Sequence, residues 1–118
     1  MTKKIMVVDD DPAIVDYIVQ VLTYSGYETC TAAHGLEAFD MLKQEKPDLI
    51  TLDLEMNEEW GPRFYRRCMK DEEFKHIPVI VISGLPSSQY AIKKAAASLS
   101  KPFDPDELLA TIRKILGE

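Results

Sequence analysis

Ile5-Met6-Val7-Val8-Asp9-Asp10-Asp11-Pro12 is the stretch whose reading decides the fold. Four apolar residues without alternation suit a strand buried on both faces, as in a parallel sheet covered by helices. The run stops abruptly at three acids. Asp11-Pro12 then reads as a helix N-cap followed by proline in the first helical position. Apolar residues at Ile14, Ile18, Val21 and Leu22 carry that helix to about Tyr24, and Ser25-Gly26 ends it.

Outward from this unit the pattern repeats. Tyr27 to Ala32 is a second strand, and Leu36 to Gln44 a second helix behind Gly35. Leu49-Ile50-Thr51-Leu52 is a third strand that again terminates at an acid, Asp53. A polar loop leads to Gly61-Pro62 and a helix reaching about Asp71. Val79 to Ile82 forms the fourth strand behind Pro78, followed by a helix from about Pro86 to Ala95. Ala97 to Ser100 is a weak fifth strand ending at Lys101-Pro102. Asp104 caps the last helix, with Pro105 as its first residue and Glu107 placed for a capping box. Strands and helices alternate, which predicts an α/β fold: a doubly wound, five-stranded parallel sheet with helices on both faces. At 118 residues the chain fits one domain, residues 1–118, able to bury a core without staples.

Composition narrows the function. Hydrophobic residues make up 46% and charged residues 29%, ordinary for a globular protein. The longest aliphatic run, Val79-Ile80-Val81-Ile82, is far short of the ~20 residues that span a bilayer. No signal peptide is visible, so the chain reads as cytoplasmic with no membrane partner. Cys30 and Cys68 are isolated and expected to be reduced there. Twenty acidic residues against 14 basic ones, a net charge of −6, argue against direct nucleic-acid binding.

In a doubly wound sheet, ligands bind beyond the carboxyl ends of the strands. Asp9 and Asp10 follow the first strand, Asp53 the third, Ser83 the fourth and Lys101 the fifth. Each residue alone is weak evidence, because aspartate is a common turn and cap residue; their joint placement points to one polar edge. Three carboxylates brought together repel, at roughly 3 kcal/mol per pair for ~5 Å and an effective dielectric of 20. A divalent cation removes that cost, and hard oxygen ligands suit Mg²⁺. One carboxylate can then act as a nucleophile toward phosphorus, with a lysine and a hydroxyl beside it.

These motifs together resemble the receiver domain of a two-component response regulator, in its single-domain, chemotaxis-regulator-like form, over essentially all of the chain. They are the first strand with Asp9-Asp10, Leu52-Asp53-Leu54 with Met56 and Gly61, Ile77 through Gly84, and Lys101-Pro102-Phe103. The resemblance implies a flavodoxin-like phosphorylation switch, with self-phosphorylation and self-dephosphorylation of Asp53 as its only chemistry. It implies that Asp10 and Asp53 bind Mg²⁺ directly, that Asp9 helps through water, and that the Glu55 carbonyl is a further ligand. Ser83 would contact the phosphoryl group and Lys101 would pair with it. The implied partners are a sensor histidine kinase or histidine phosphotransfer protein, and a downstream protein.

The departures from the pattern lie on the output side. Asn57 stands where the family usually has proline, the step from Ser83 to Lys101 is shorter than in many members, and the implied fourth helix is shortened. Ser98 occupies the place of an aromatic that swings inward on activation, so output through the Ser83 to Gln89 loop or the short helix is expected instead. Two other readings stay open. One is a pseudo-receiver that binds proteins without phosphorylation. The other is a phosphatase, since Asp53-Leu54-Glu55 loosely resembles the nucleophile motif of haloacid-dehalogenase-like enzymes. Arg63, Arg66 and Arg67 read first as a solvated helix face, with contact to a partner as the alternative. His34 and His76 have no metal-ligand company and are assigned no chemistry.

Overall fold

A computed structural model describes residues 2–53, 60–84, 96–101 and 103–118. In chain order the elements are β1 (Lys4–Val8), α1 (Pro12–Tyr24), β2 (Glu28–Ala32), α2 (Gly35–Glu45), β3 (Leu49–Asp53), α3 (Trp60–Met69), β4 (Val79–Ser83), β5 (Ala97–Ser100) and α4 (Pro105–Leu116). The strands form one parallel sheet in the order β2-β1-β3-β4-β5. The expected α/β architecture is therefore present. The expected helix from Pro86 to Ala95 lies outside the described residues.

Successive side chains of a strand point to opposite faces, and here both faces are apolar. Met6, Val8, Ile50, Leu52 and Val81 pack with Ala38, Phe39 and Leu42 of α2 and Phe64 and Cys68 of α3. Ile5, Val7, Ile80, Ile82 and Leu99 pack with Ile18 and Leu22 of α1 and Leu108 and Ile112 of α4. That two-sided burial is why the strand runs read as continuous rather than alternating. No helix among the described residues is long and apolar enough to cross a membrane.

Helix starts follow the cap chemistry. Asp11 Oδ1 accepts from Ala13 N–H at 2.9 Å and Asp104 Oδ1 from Asp106 N–H at 2.9 Å, each just before a proline at the helix start. α2 uses a cap the sequence did not suggest. His34 Nδ1 accepts from Glu37 N–H at 3.4 Å, while Glu37 Oε1 accepts from Ala33 N–H at 3.4 Å. The imidazole thus takes the role usually given to a serine or aspartate.

Boundaries differ from expectation where backbone hydrogen bonds decide. β2 begins at Glu28 because Tyr27 N–H is donated to Leu22 O, closing α1 across Gly26 at φ +94°. β3 and β4 each run one residue longer than expected, since Asp53 registers with Ile82 and Ser83 with Ser100. α3 takes in Trp60 and Gly61 ahead of Pro62, which the first turn tolerates because its N–H groups have no intrahelical acceptor.

Candidate functional site

β1 lies second in the strand order, with β2 on one side and β3 on the other. The β1–β3 pair is the point where the winding reverses, so a crevice opens at its carboxyl edge. Asp9 and Asp10 leave β1 there, and Asp53 is the last residue of β3. One carboxylate oxygen from each of the three lies within 4.8 Å of the others. Asp9 and Asp53 are each 3% exposed, whereas Asp10 faces solvent.

Each side chain is aimed by backbone bonding. Asp9 N–H is donated to Ala32 O at 3.2 Å, which ties the start of the acidic turn to the end of β2. Asp9 Oδ1 accepts from Asp11 N–H at 2.9 Å, so the turn that leads into α1 also fixes the Asp9 carboxylate. At the other edge, Lys101 N–H is donated to Ser83 O at 2.9 Å. That bond carries the end of β5 alongside β4, and the lysine reaches back over the sheet. Lys101 Nζ lies 3.2 Å from Asp53 Oδ1 and 3.5 Å from Asp9 Oδ2.

The electrostatics record an excess of negative charge. Burial, the largest influence, pushes the Asp9 carboxyl up from 3.8 to about 6; the Asp11 N–H opposes it, nearby Asp53 adds to it, and Lys101 opposes it. Burial works against the charge of Lys101 as well, but attraction to Asp53 and Asp9 outweighs it and holds the ammonium above the ordinary lysine range. One cation is therefore shared by two buried carboxylates, with Asp10 at the rim. Hard oxygen donors, three formal negative charges and one adjacent lysine fit a divalent cation such as Mg²⁺.

The structure brings Asp9, Asp10, Asp53 and Lys101 together. Ser83 ends β4 beside them and is buried at 2% exposed. Glu55, the remaining expected ligand, lies outside the described residues. Ser98 registers with Val81 in β5 and its side chain is exposed. The residues from Leu85 to Gln89 and the expected fourth helix lie outside the described residues, as does Tyr90. Phe103 packs edge-on against Tyr17 with ring centroids 5.9 Å apart.

Next to the acids, a cleft of about 200 Å³ is lined by Asp9, Asp10, Asp16, Thr31, Ala33 and Glu37, among others. Asp16 and Glu37 were not singled out from sequence. They sit on helices α1 and α2 within ordinary amphipathic patterns, and only the three-residue step from His34 to Glu37 could have flagged the second.

Comparisons with known proteins agree in kind. The family model of the response regulator receiver domain matches residues 5–113. The chain is 33% identical over 117 residues to protein Rrf1 of Nitratidesulfovibrio vulgaris, covering 99% of this chain and 85% of that one. It is 33% identical over 122 residues to the polar-differentiation response regulator DivK of Brucella ovis, covering 100% and 99%. Among solved structures, it is similar to a CheY-like response regulator receiver domain from Methanospirillum hungatei, with TM-score 0.88, 29% identity and coverage of 99% and 95%. It is equally similar to the chemotaxis response regulator CheY4 of Vibrio cholerae, with TM-score 0.89, 28% identity and coverage of 98% and 99%.

Proposed function

Since this chain belongs to the response regulator receiver domain family, we propose that Asp53 is its phosphoryl acceptor and that a histidine kinase or histidine phosphotransfer protein is the donor. Members of the family are, in general, signalling modules that switch on phosphorylation rather than enzymes. The observation that carries the assignment is the shared cation: Lys101 Nζ at 3.2 Å from Asp53 and 3.5 Å from Asp9, with Asp10 completing the acidic set.

On this reading Asp53 acts as the nucleophile. Its carboxylate ends a buried strand, and Lys101 Nζ lies 3.2 Å from its Oδ1. A carboxylate oxygen attacks phosphorus, an O–P bond forms, and the P–N bond to the donor imidazole breaks with its electron pair leaving on nitrogen. Lys101 then faces the charge carried on the transferred oxygens, and the Ser83 hydroxyl offers a hydrogen bond from the neighbouring strand end. Asp10 and Asp53 would hold Mg²⁺ directly, with Asp9 acting through water and the Glu55 carbonyl as a further ligand. Bound there, the ion supplies neutralisation of the phosphoryl oxygens. The domain spans residues 1–118 on this reading, and its location is the cytoplasm, where such donors reside.

The test is intact-mass analysis after incubation with acetyl phosphate and Mg²⁺. The wild-type chain is expected to gain one phosphoryl group, and Asp53→Asn none. Equal gain by both proteins would show that another residue is the acceptor.

A further inference from the structure

Helix α3 carries a charge pattern that the acidic site does not use. Arg63, Arg66, Arg67 and Lys70 are exposed, and at 3.6 residues per turn they fall within an arc of about 100° along about 10 Å. Phe64, Tyr65 and Cys68 occupy the opposite arc and are buried. Packing therefore fixes the basic face outward.

Three of the chain's four arginines lie on this face, in a protein of net charge −6, and no acid occurs from residue 60 to residue 70. A solvated surface helix is ordinarily laced with opposite charges three or four residues apart; here the acids stand only at the flanks, at Glu58 and Glu59 before this stretch and at Asp71, Glu72 and Glu73 after it. Lys4, Lys46, Lys75 and Lys101 all find carboxylates, whereas Arg66, Arg67 and Lys70 form no ion pair among the described residues. The crowding extends to α2. The Arg67 guanidinium lies 3.9 Å from the centroid of the Phe39 ring, and Lys43 Nζ lies 5.2 Å from the same centroid. Phe39 is itself buried and held edge-on by Phe74 at 5.8 Å. The ring thus holds Arg67 in place and gathers two like charges, whose mutual repulsion an incoming anion relieves.

We infer that the α3 face is a docking surface for an acidic protein segment, one presenting carboxylates at three- and four-residue spacing along a helix. Planar guanidinium groups match carboxylates in a two-pronged geometry. A patch about 10 Å long matches two turns of such a helix. The net charge and the carboxylates at the sheet edge repel phosphate polymers and anionic membranes over longer range, which favours a short acidic peptide over either. The inference is independent of the chemistry at Asp53.

The test uses the isotopically labelled 118-residue chain and a synthetic glutamate–alanine helix with glutamates at i, i+3, i+4 and i+7. The peptide is expected to shift the amide signals of residues 63–70 and Lys43, and to lose affinity as sodium chloride rises from about 50 to about 300 mM. The double variant Arg66→Gln/Lys70→Gln is expected to bind about tenfold more weakly, with unchanged melting temperature and unchanged phosphorylation by acetyl phosphate. Arg113→Gln is expected to bind as wild type. Four results would each overturn the inference: no shifts on α3, shifts centred elsewhere, double-variant binding equal to wild type, or equal binding of a peptide with the same glutamates dispersed around the helix. Tighter binding of a single-stranded oligonucleotide or of phosphatidylserine vesicles to α3 would also overturn it, in favour of those partners.

Discussion

Neutralising Asp9 should stabilise the metal-free protein and remove a defined part of its pH dependence. Burial, reinforced by Asp53, raises the Asp9 carboxyl from 3.8 to about 6 against the pull of the Asp11 N–H and of Lys101. The folded chain therefore binds the Asp9 proton more tightly than the unfolded chain does. Keeping Asp9 ionised in the fold costs about 3 kcal/mol, a penalty fully present above the folded pKa and relieved as pH falls toward the unfolded one. Linkage then predicts that the wild type gains about 1 kcal/mol of unfolding free energy from this group between pH 7.5 and pH 5. Asp9→Asn keeps the Oδ1 acceptor for the 2.9 Å bond from Asp11 N–H and removes the charge. It should be about 2–3 kcal/mol more stable than wild type at pH 7.5, with that part of the slope abolished. Urea denaturation of both proteins in chelator, at the two pH values, measures the difference, and His34 and His76 cancel because both proteins carry them. A wild-type protein that loses stability relative to the variant on acidification, or a variant weaker than wild type at pH 7.5, would refute the reasoning.

The same carboxylates should report a cation. At Mg²⁺ ten times its dissociation constant, binding adds about 1.4 kcal/mol of stability, or about 5 °C in melting temperature for a chain of this size. Asp10→Ala should lose most of that rise, and a variant that keeps it in full would remove Asp10 from the ligand set. At the start of α1, Asp11→Ala deletes the 2.9 Å cap on Ala13 N–H and should cost about 1 kcal/mol. That loss is read as a lower urea midpoint at constant slope, and no change in midpoint would show the cap to be energetically idle.

Much of this protein is determined along the chain. The unbroken apolar runs Ile5–Val8 and Val79–Ile82 specify strands covered on both faces, because only a sheet between two helical layers buries every residue of such a run. Asp11-Pro12 and Asp104-Pro105 mark helix starts because cap geometry depends on two or three consecutive residues. Asp9, Asp10, Asp53, Ser83 and Lys101 were legible as candidates for the same reason: each follows, or closes, a run that ends at one edge of the sheet.

What the tertiary structure alone decided is how those ends meet. Strand order puts β1 between β2 and β3; register carries Asp53 and Ser83 into the strands and buries them. Lys101 reaches across β4 to the carboxylates at the end of β3 and just beyond β1, 92 residues from Asp9 in the chain. The seat of Arg67 on the Phe39 ring and the raised Asp9 carboxyl have the same origin. Periodicity reports which face of one element is buried. It carries no distance between elements, and charge energies, which vary with distance and with the water excluded between groups, exist only once the elements are packed.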